Sequence, residues 1–568
     1  MANKLKQQTT LNRNPKVWIQ DAWGLARPYW VSENKNKSIL LLILVIIFNL
    51  LVVYMTVLFN KWNNVFYDAI QHYDKIKFTH AIYKFTILAF FYIAFQVFAY
   101  YFKSILEIKW RRWSTKDYLD RWCAKKAYYK TIFVNEISDN PDQRISADIN
   151  SFIVLVMDLT LGLMNSVVTL ASFSVILWQI SGILKFTVHG HHFAIPGYML
   201  FAAIIYAIIG TYITFKIGRP LIKLNYEQQA YEANFRFGLM RVREHAENIA
   251  FYNGEETEKK NLLIKFHNVV DNFVAIVYRQ IKLDIFSVGY AQLAVIFPLI
   301  VASPRYFAKI IQLGDLMQIA SAFGRVQDAL SYFINSYTSL SGLRATMDRL
   351  YGFEKIINIA DSLAGLPIVS SDNYLKLTNL QINLPNGQNL ISKINLSLNS
   401  GDRLLIRGKS GSGKTTLLRT LAGLWSYADG EIAGKNGLTY LFIAQKPYLI
   451  IATLADAITY PLPMTNIDRD TLTVNMKQCG LEHLISKLDL EDNWSSKLSI
   501  GEQQRIGFCK VLLNKPDIVY LDEATSALDE ETEELMYQNL IEKLPQSVII
   551  SVGHRSTIKK WHNQELQF

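Results

Sequence analysis

Residues Ser38 to Phe59 read SILLLILVIIFNLLVVYMTVLF, 22 consecutive positions without a charge. A helix of roughly 20 apolar residues crosses the hydrocarbon core of a bilayer. Inside lipid the backbone has to satisfy its own hydrogen bonds, so the run is expected as a transmembrane helix. The stretch before it, residues 1–37, carries Lys4, Lys6, Arg13, Lys16, Arg27, Lys35 and Lys37 against Asp21 and Glu33. It has no short apolar run followed by a small-residue cleavage site, so it is not expected to be a removed signal peptide. Trp18, Ala22, Leu25 and Tyr29 recur there at helical spacing, which predicts a short amphipathic elbow helix lying on the inner membrane face or against protein.

Further apolar stretches predict spans near 82–102, 154–178, 196–216, 284–303 and 316–339, six in all with the first. The connecting segments sort by charge. Residues 103–153 hold ten Lys or Arg and residues 217–283 are long and rich in both charges, whereas 60–81, 179–195 and 304–315 are short and carry few. Positive charge marks the cytoplasmic side, so both termini and the long loops are placed there, in agreement with an even number of spans. The net charge of +11 follows largely from these loops. It reads as membrane topology and predicts no nucleic-acid partner. Cys123, Cys479 and Cys509 all fall on the cytoplasmic side, where neither disulfides nor a thiolate metal cluster is expected. The outer sequence His189, Gly190, His191, His192 lies between strand-like Phe186–Val188 and Phe193–Ile195. It reads as a hairpin turn, with a metal site as the alternative.

The last predicted span departs from lipid-facing composition. Gln318, Ser321, Arg325, Asp328 and Ser331 recur at intervals of three or four and so share one helix face. Charges at that depth are costly unless they face protein or water. The face is therefore a candidate lining for a solute pathway, the alternative being an Arg325–Asp328 pair buried at a helix contact. Asp158, Asn165 and Gln292 in other spans are further candidates.

From about residue 373 short apolar strands alternate with helices, which predicts an α/β unit. Here Gly408-Lys409-Ser410-Gly411-Ser412-Gly413-Lys414-Thr415-Thr416 follows the strand-like 402–407 and precedes the helical 417–424. A glycine-rich loop between strand and helix turns successive N–H groups toward a phosphate, Lys414 reaches the β/γ oxygens, and Thr415 is placed to ligate Mg²⁺. About a hundred residues on, the buried strand Ile518-Val519-Tyr520-Leu521 ends in Asp522 and Glu523, at the carboxyl edge where open α/β sheets bind ligands. Asp522 is the candidate to hold Mg²⁺ through water, and Glu523 the candidate to polarise an attacking water.

Leu498-Ser499-Ile500-Gly501-Glu502-Gln503-Gln504-Arg505, about a dozen residues before the acidic strand, resembles the signature sequence of ATP-binding cassette (ABC) proteins. Ser526-Ala527-Leu528-Asp529 resembles their D-loop, Gln445 their Q-loop and His554 their switch histidine. The resemblance implies a six-span helical membrane domain of exporter type fused to an α/β P-loop cassette, with ATP and Mg²⁺ as cofactors. It implies an N-terminal segment 1–37, membrane domain 38–345, linker 346–372 and cassette 373–568, and a homodimer or a pairing with a similar half. It also implies that Gly408, Ser410, Gly411, Ser412, Gly413, Lys414, Thr415 and Thr416 hold the phosphates, while Thr415, Gln445 and Asp522 serve the metal. Ser499, Gly501 and Asp529 would meet ATP across the dimer, with Glu523 and His554 catalytic. Two features depart from the family pattern. Ile500 and Glu502 stand where Gly and Gln are usual, and Leu384 occupies the position that usually offers an aromatic ring to adenine, at a cost of about 1–3 kcal/mol of stacking.

In the membrane half, residues 140–145 (NPDQRI) and 247–254 (ENIAFYNG) are similar to segments of peroxisomal fatty-acyl-CoA transporters and of cassette-fused relatives of the SbmA/BacA peptide transporters. Trp62-Asn63-Asn64 and the segment Met317–Asp328 lean toward the bacterial, YddA-type inner-membrane proteins. The likeness implies coupling contacts at 140–145 and 244–252, though a charged helical hairpin is the alternative. It implies alternating-access transport of a hydrophilic or amphipathic solute, such as a peptide or a cobalamin-like molecule, across a bacterial inner membrane. Export of fatty-acyl or lipid substrates, and a membrane-anchored ATPase acting as sensor or scaffold, remain as alternatives.

Overall fold

The computed structural model describes residues 15–133, 140–188, 191–332, 336–363, 365–372, 374–464 and 467–568. The chain divides into two compact units, Met1–Arg121 with Asp139–Lys355, and Trp122–Ser138 with Ile356–Phe568.

The first unit is built from long helices, the third and the last of which run on into residues of the second: α1 (Pro15–Val31), α2 (Lys35–Gln71), α3 (Lys75–Cys123), α4 (Ile149–Ser181), α5 (Tyr198–Glu244), α6 (Glu255–Phe307), α7 (Leu313–Leu330) and α8 (Tyr337–Ser362). Five helices, α2 to α6 with their extensions, are long and apolar enough to cross a bilayer. They overrun the predicted spans. The 53 residues of α6 make a rod of about 80 Å at 1.5 Å per residue, far beyond the roughly 30 Å hydrocarbon core. Apolar composition locates the part of a helix in lipid but not its ends, because charged residues propagate a helix equally well in water.

The sixth predicted span, 316–339, differs more. It opens in α7, which is only 18 residues long, and residues 333–335 lie outside the described set. Ile319, Ala322, Phe323 and Val326 are fully buried in α7 and pack with Phe173, Leu177, Met199, Ala203 and Ala302. That i, i+3, i+4, i+7 stripe makes α7 a core helix of the bundle. The stretch read as a linker, 346–372, is continuous helix up to Ser362.

Polar contacts fix the helices where packing alone is permissive. Along α2, Asn60, Asn64, Asp68 and Gln71 face the start of α7. Asn60 Nδ2 donates to the Gln318 carbonyl at 3.1 Å and Gln318 Nε2 to Asn60 Oδ1 at 3.0 Å. Asn64 donates to Asp315, while Asp68 and Gln71 accept the N–H groups of Gly314 and Leu313. A Cβ at Gly314 would lie 2.2 Å from the Asn64 carbonyl oxygen, so this seam admits only glycine there. Between α5 and α6, Tyr206 and Tyr290 stack at 4.3 Å, and each hydroxyl donates to the other's carbonyl. The elbow helix α1 docks on protein at its end: Tyr29, 1% exposed, stacks on Trp110 at 5.3 Å and accepts from Ser38 Oγ. On the outer side β1 (Ile183–Val188) and β2 (His191–Pro196) pair antiparallel as the predicted hairpin, with His189 and Gly190 outside the described residues.

Among the described residues the cassette unit contains, besides a short antiparallel pair of Ala452–Thr453 with Glu491–Asp492, two larger sheets. One is fully parallel, ordered β11 (Gln564–Gln567), β6 (Arg403–Arg407), β10 (Val548–Val552), β9 (Ile518–Asp522), β8 (Tyr440–Ile443). The other is mostly antiparallel, ordered β3 (Ile368–Ser370), β7 (Ala428–Gly434), β4 (Leu375–Asn383), β5 (Asn389–Leu398). Side chains alternate along a strand, and both faces of the parallel sheet are covered. Leu404, Ile406, Ile518, Tyr520 and Ile550 join the core shared with the second sheet, whereas Leu405, Val519, Leu521 and Ile549 join the core under the helices 500–514 and 530–543.

Candidate functional site

The carboxyl edge of the parallel sheet gathers the sequence-predicted residues. β6 runs into the glycine loop, which enters the helix Lys414–Leu421. Gly411 and Gly413 have φ of 81° and 96°, the left-handed region that a side chain strains. The Lys414 ammonium curls over the loop, donating to the carbonyls of Gly408 at 2.8 Å and Lys409 at 2.9 Å. Ser412 Oγ is buried without a hydrogen-bond partner. An orphaned hydroxyl beside a lysine ammonium in a glycine loop is matched by an anionic oxygen. Three residues on, at the start of the helix, Thr415 Oγ1 donates to Asp522 Oδ1 at 3.3 Å, so the hydroxyl and the carboxylate suited to an oxygen-loving dication are neighbours. Burial raises the Asp522 carboxyl above its usual range, the Thr415 hydrogen bond opposes this, and the adjacent Glu523 charge adds to it. A cation at that point would stabilise the ionised form.

Glu523 adopts φ of 50°. A non-glycine residue held there costs on the order of 1 kcal/mol or more, and the strain is held by Glu523 N–H to the Val552 carbonyl at 3.0 Å and Ser526 N–H to the Glu523 carbonyl at 3.1 Å. β9 and β10 pair Asp522 with Val552, so the residues following each strand emerge side by side. His554 Nε2 thereby comes to 3.5 Å from Glu523 Oε1. Both line a cleft of about 170 Å³ with Ser526 and Arg555. A carboxylate and an imidazole at that range can share a water or a phosphate oxygen.

The signature segment begins the helix Ile500–Asn514, with Ser499 as its N-cap. Ser499 Oγ accepts from Glu502 N–H at 3.2 Å and donates to Glu502 Oε2 at 2.8 Å, and Ser499 N–H donates to the same carboxylate at 2.8 Å. Glu502 thus closes a capping box, which a glutamine would also close. His483 Nε2 lies 2.7 Å from its other oxygen. Burial raises the Glu502 carboxyl, but the hydrogen bonds from His483 and Ser499 outweigh burial and hold it below the usual range. Gly501 is close-packed, since a Cβ there would lie 3.2 Å from the Ala527 carbonyl oxygen. Ile500 is exposed. Asp529 caps the next helix through Thr532 N–H at 2.8 Å. The Gln445 side chain is exposed, and Leu384 packs against the core between the sheets.

Two residues were not singled out from the sequence. Gln504, fully buried, donates to the Gln445 carbonyl at 2.9 Å and to Ser526 Oγ at 3.0 Å, and accepts from Ala527 N–H at 3.0 Å. Arg555 donates to the carbonyls of Leu528 at 2.7 Å and Ser526 at 3.0 Å. Together they tie the Gln445 loop, the 526–529 loop and the His554 segment into one assembly. Neither shows a spacing that sequence reading can use, because their partners are backbone groups of other loops.

In the helical unit the predicted polar face divides. Gln318 is 7% exposed and locked to Asn60. Expected as pathway lining, Gln318 here faces α2, which packs against that edge of α7 and satisfies its amide. Ser321 and Asp328 line a cavity of about 390 Å³ with Asn63, Tyr67 and Gln327. Arg325 is exposed, and Ser331 lies half-buried at the end of α7. Asp158 is paired with Lys103, Asn165 bonds Asn49 at 3.1 Å, and Gln292 is exposed. Residues 140–145 and 246–251 form short helical elements of the first unit. The segment grouped with the cassette is 122–138, where Phe133 meets Trp425 edge-on at 5.0 Å.

This combination of lipid-crossing helices with a phosphate loop facing paired acids defines an ATP-driven membrane transporter. Residues 25–307 match the family of the ABC transporter transmembrane region 2, and residues 391–526 match the ABC transporter family. An ABC transporter ATP-binding protein of Haemophilus influenzae is 39% identical over 97% of this chain and 92% of its own length. The inner membrane ABC transporter ATP-binding protein YddA of Escherichia coli is 34% identical over 94% of both. ABC transporter D family member 2 of Arabidopsis thaliana, a chloroplastic protein, is 32% identical over 96% of this chain and 85% of its own length. The structure of a bacterial Atm1-family ABC exporter with ATP bound superposes with a TM-score of 0.72, covering 93% of each chain at 17% identity, which establishes the exporter-type fold. The chain belongs to the ABC transporter family: a multi-pass membrane protein with an ATP-binding cassette that couples ATP hydrolysis to transport.

Proposed function

We propose that the chain is a half-transporter working as a homodimer in a bacterial inner membrane, moving a hydrophilic or amphipathic solute by alternating access. Residues 38–345 form its translocating part and 373–568 its cassette. The reading is carried by one observation: Asp522, Glu523 and His554 converge beside the glycine loop, in a chain whose helical unit holds a cavity edged by Ser321 and Asp328. The loop residues Gly408 to Thr416, with Lys414, cradle the ATP phosphates. Thr415 and Asp522, joined by Gln445, would hold Mg²⁺, which would neutralise phosphate charge. Glu523 would orient the attacking water, and His554, 3.5 Å from its carboxylate, would contact the terminal phosphate. Ser499, Gly501 and Asp529 are presented at helix starts to the partner's nucleotide. Phe133 and its segment carry cassette motion to the spans. Export of acyl lipids is the runner-up.

The test is uptake into vesicles or cells of a labelled peptide, a cobalamin and a fatty acyl-CoA, comparing the wild type with Glu523→Gln. The expected result is accumulation of the peptide or the cobalamin that the substitution abolishes, with ATP turnover reduced at least a hundredfold. ATP-dependent movement of the acyl-CoA alone would replace this reading by the lipid one. If all three solutes behaved alike in both proteins while wild type still hydrolysed ATP, the solute assignment would fall.

A further inference from the structure

We propose that the cavity between α2, α6 and α7 is a solute subsite for an organic cation, an ammonium or guanidinium group carried on a short aliphatic body, with Asp328 as its counter-charge. The inference rests on the transport reading above and specifies its substrate class. The cavity is about 390 Å³, within the range of roughly 300–1,000 Å³ typical of small-molecule sites. Its wall is aliphatic and low in relief, with Ala291, Ala294, Val295, Met317 and Ala320. Gly324 opens it further, since a Cβ there would meet nothing within 4 Å. Against this wall stand Asp328, the one charged residue among those lining the cavity, and the neutral polar groups of Asn63, Tyr67, Ser321 and Gln327.

A carboxylate set against an apolar wall needs compensation. Three residues earlier on α7, Arg325 is exposed and takes no part in the cavity wall, so its positive charge acts on Asp328 from outside the cavity. The other acids near this helix are engaged elsewhere. Asp315 accepts from Asn64 and from Gln312 N–H, and Asp68 from Gly314 N–H. Asp328 thus gives the cavity a negative bias that an anionic solute meets as repulsion and a cationic one as attraction. One carboxylate falls short of the six or more oxygens that a bare dication gathers, so the fitting cation is organic. The Tyr67 ring adds an aromatic face that favours such groups.

The experiment uses the full-length protein in lipid nanodiscs and three tripeptide amides of equal size, Ala-Lys-Ala, Ala-Gln-Ala and Ala-Glu-Ala. For each, the concentration giving half-maximal stimulation of ATP turnover is measured in wild type, Asp328→Asn, Asp328→Glu and Gly324→Leu. The readout is the ratio of half-saturating concentrations, lysine peptide against glutamine peptide, taken within each protein so that any loss of folded material cancels. We expect wild type to favour the lysine peptide by roughly ten- to a hundredfold. Asp328→Asn should bring the ratio near one, Asp328→Glu should retain most of it, and Gly324→Leu should remove stimulation by every peptide. A ratio near one in wild type, a ratio unchanged by Asp328→Asn, or stimulation that survives Gly324→Leu would each overturn the cation site while leaving solute transport standing. Stimulation by none of the peptides in wild type, with basal turnover intact, would bring down the hydrophilic-solute reading together with it.

Discussion

Replacing Gln318 by leucine separates a packing residue from a pathway residue. The substitution keeps volume but leaves Asn60 Oδ1, in a residue 1% exposed, without the donor it now has at 3.0 Å. The Asn60 amide still donates to the Gln318 backbone carbonyl, so the loss is one side-chain bond plus the desolvation of one oxygen. In a water-soluble core that costs about 1–3 kcal/mol. In lipid, interhelical hydrogen bonds average only about 0.6 kcal/mol with a maximum of about 1.7, because the unfolded helices also find partners. The expected coupling between Asn60 and Gln318 is therefore about 1 kcal/mol, a fivefold change in the folded ratio. It is measured by a double-mutant cycle, Asn60→Leu, Gln318→Leu and both together, with unfolding followed in mixed micelles. Solute stimulation of ATP turnover should be retained by the folded fraction. A coupling indistinguishable from zero, together with abolished solute stimulation in a protein that unfolds like wild type, would refute the reasoning and return Gln318 to the pathway.

Other consequences concern the cassette. Gln504→Leu should lower its melting temperature by about 3–6 °C, the equivalent of 1–2 kcal/mol, because the exposed Gln445 and Ala527 loops can rehydrate. ATP turnover should fall about tenfold or more as those loops lose their alignment, read by steady-state kinetics against scanning fluorimetry. Glu502→Gln keeps the capping box but loses the His483 pair. Since the Glu502 carboxyl is held below its usual range, its contribution is present above about pH 4.3 and lost as pH falls through the lower folded value. The variant's melting temperature should therefore be less sensitive to acid than that of wild type between about pH 5 and 3, and parallel pH profiles would contradict this. Phe133→Ala removes the edge-on contact with Trp425, worth about 0.5–1.5 kcal/mol. It should depress solute-stimulated turnover more than basal turnover, and equal losses would argue against a transmitting role.

Much of the site was legible because it is written locally. The glycine loop needs consecutive residues with permitted φ and a lysine one turn on, and the acids need only to end a buried strand. Each is a short-range requirement that composition and spacing display. Gln504 and Arg555 escaped because their hydrogen bonds go to main-chain groups of loops distant in sequence, and main-chain partners leave no residue-type signal. The contact of Gln318 with Asn60 escaped for a related reason. Helical periodicity places a residue on a face but does not say what packs there, and α2 meets α7 through residues 258 positions away.

The sequence by itself determined that lipid-crossing helices precede a cassette, and it marked the glycine loop and the acids that the fold brings together, since lipid solvation and loop geometry act on contiguous chain. Only the tertiary structure decided that α7 is a core helix, that its polar face splits between a seam and a cavity, and that residues 122–138 group with the cassette. Those outcomes depend on which helix lies beside which, and burial there is settled by neighbours that no local pattern names.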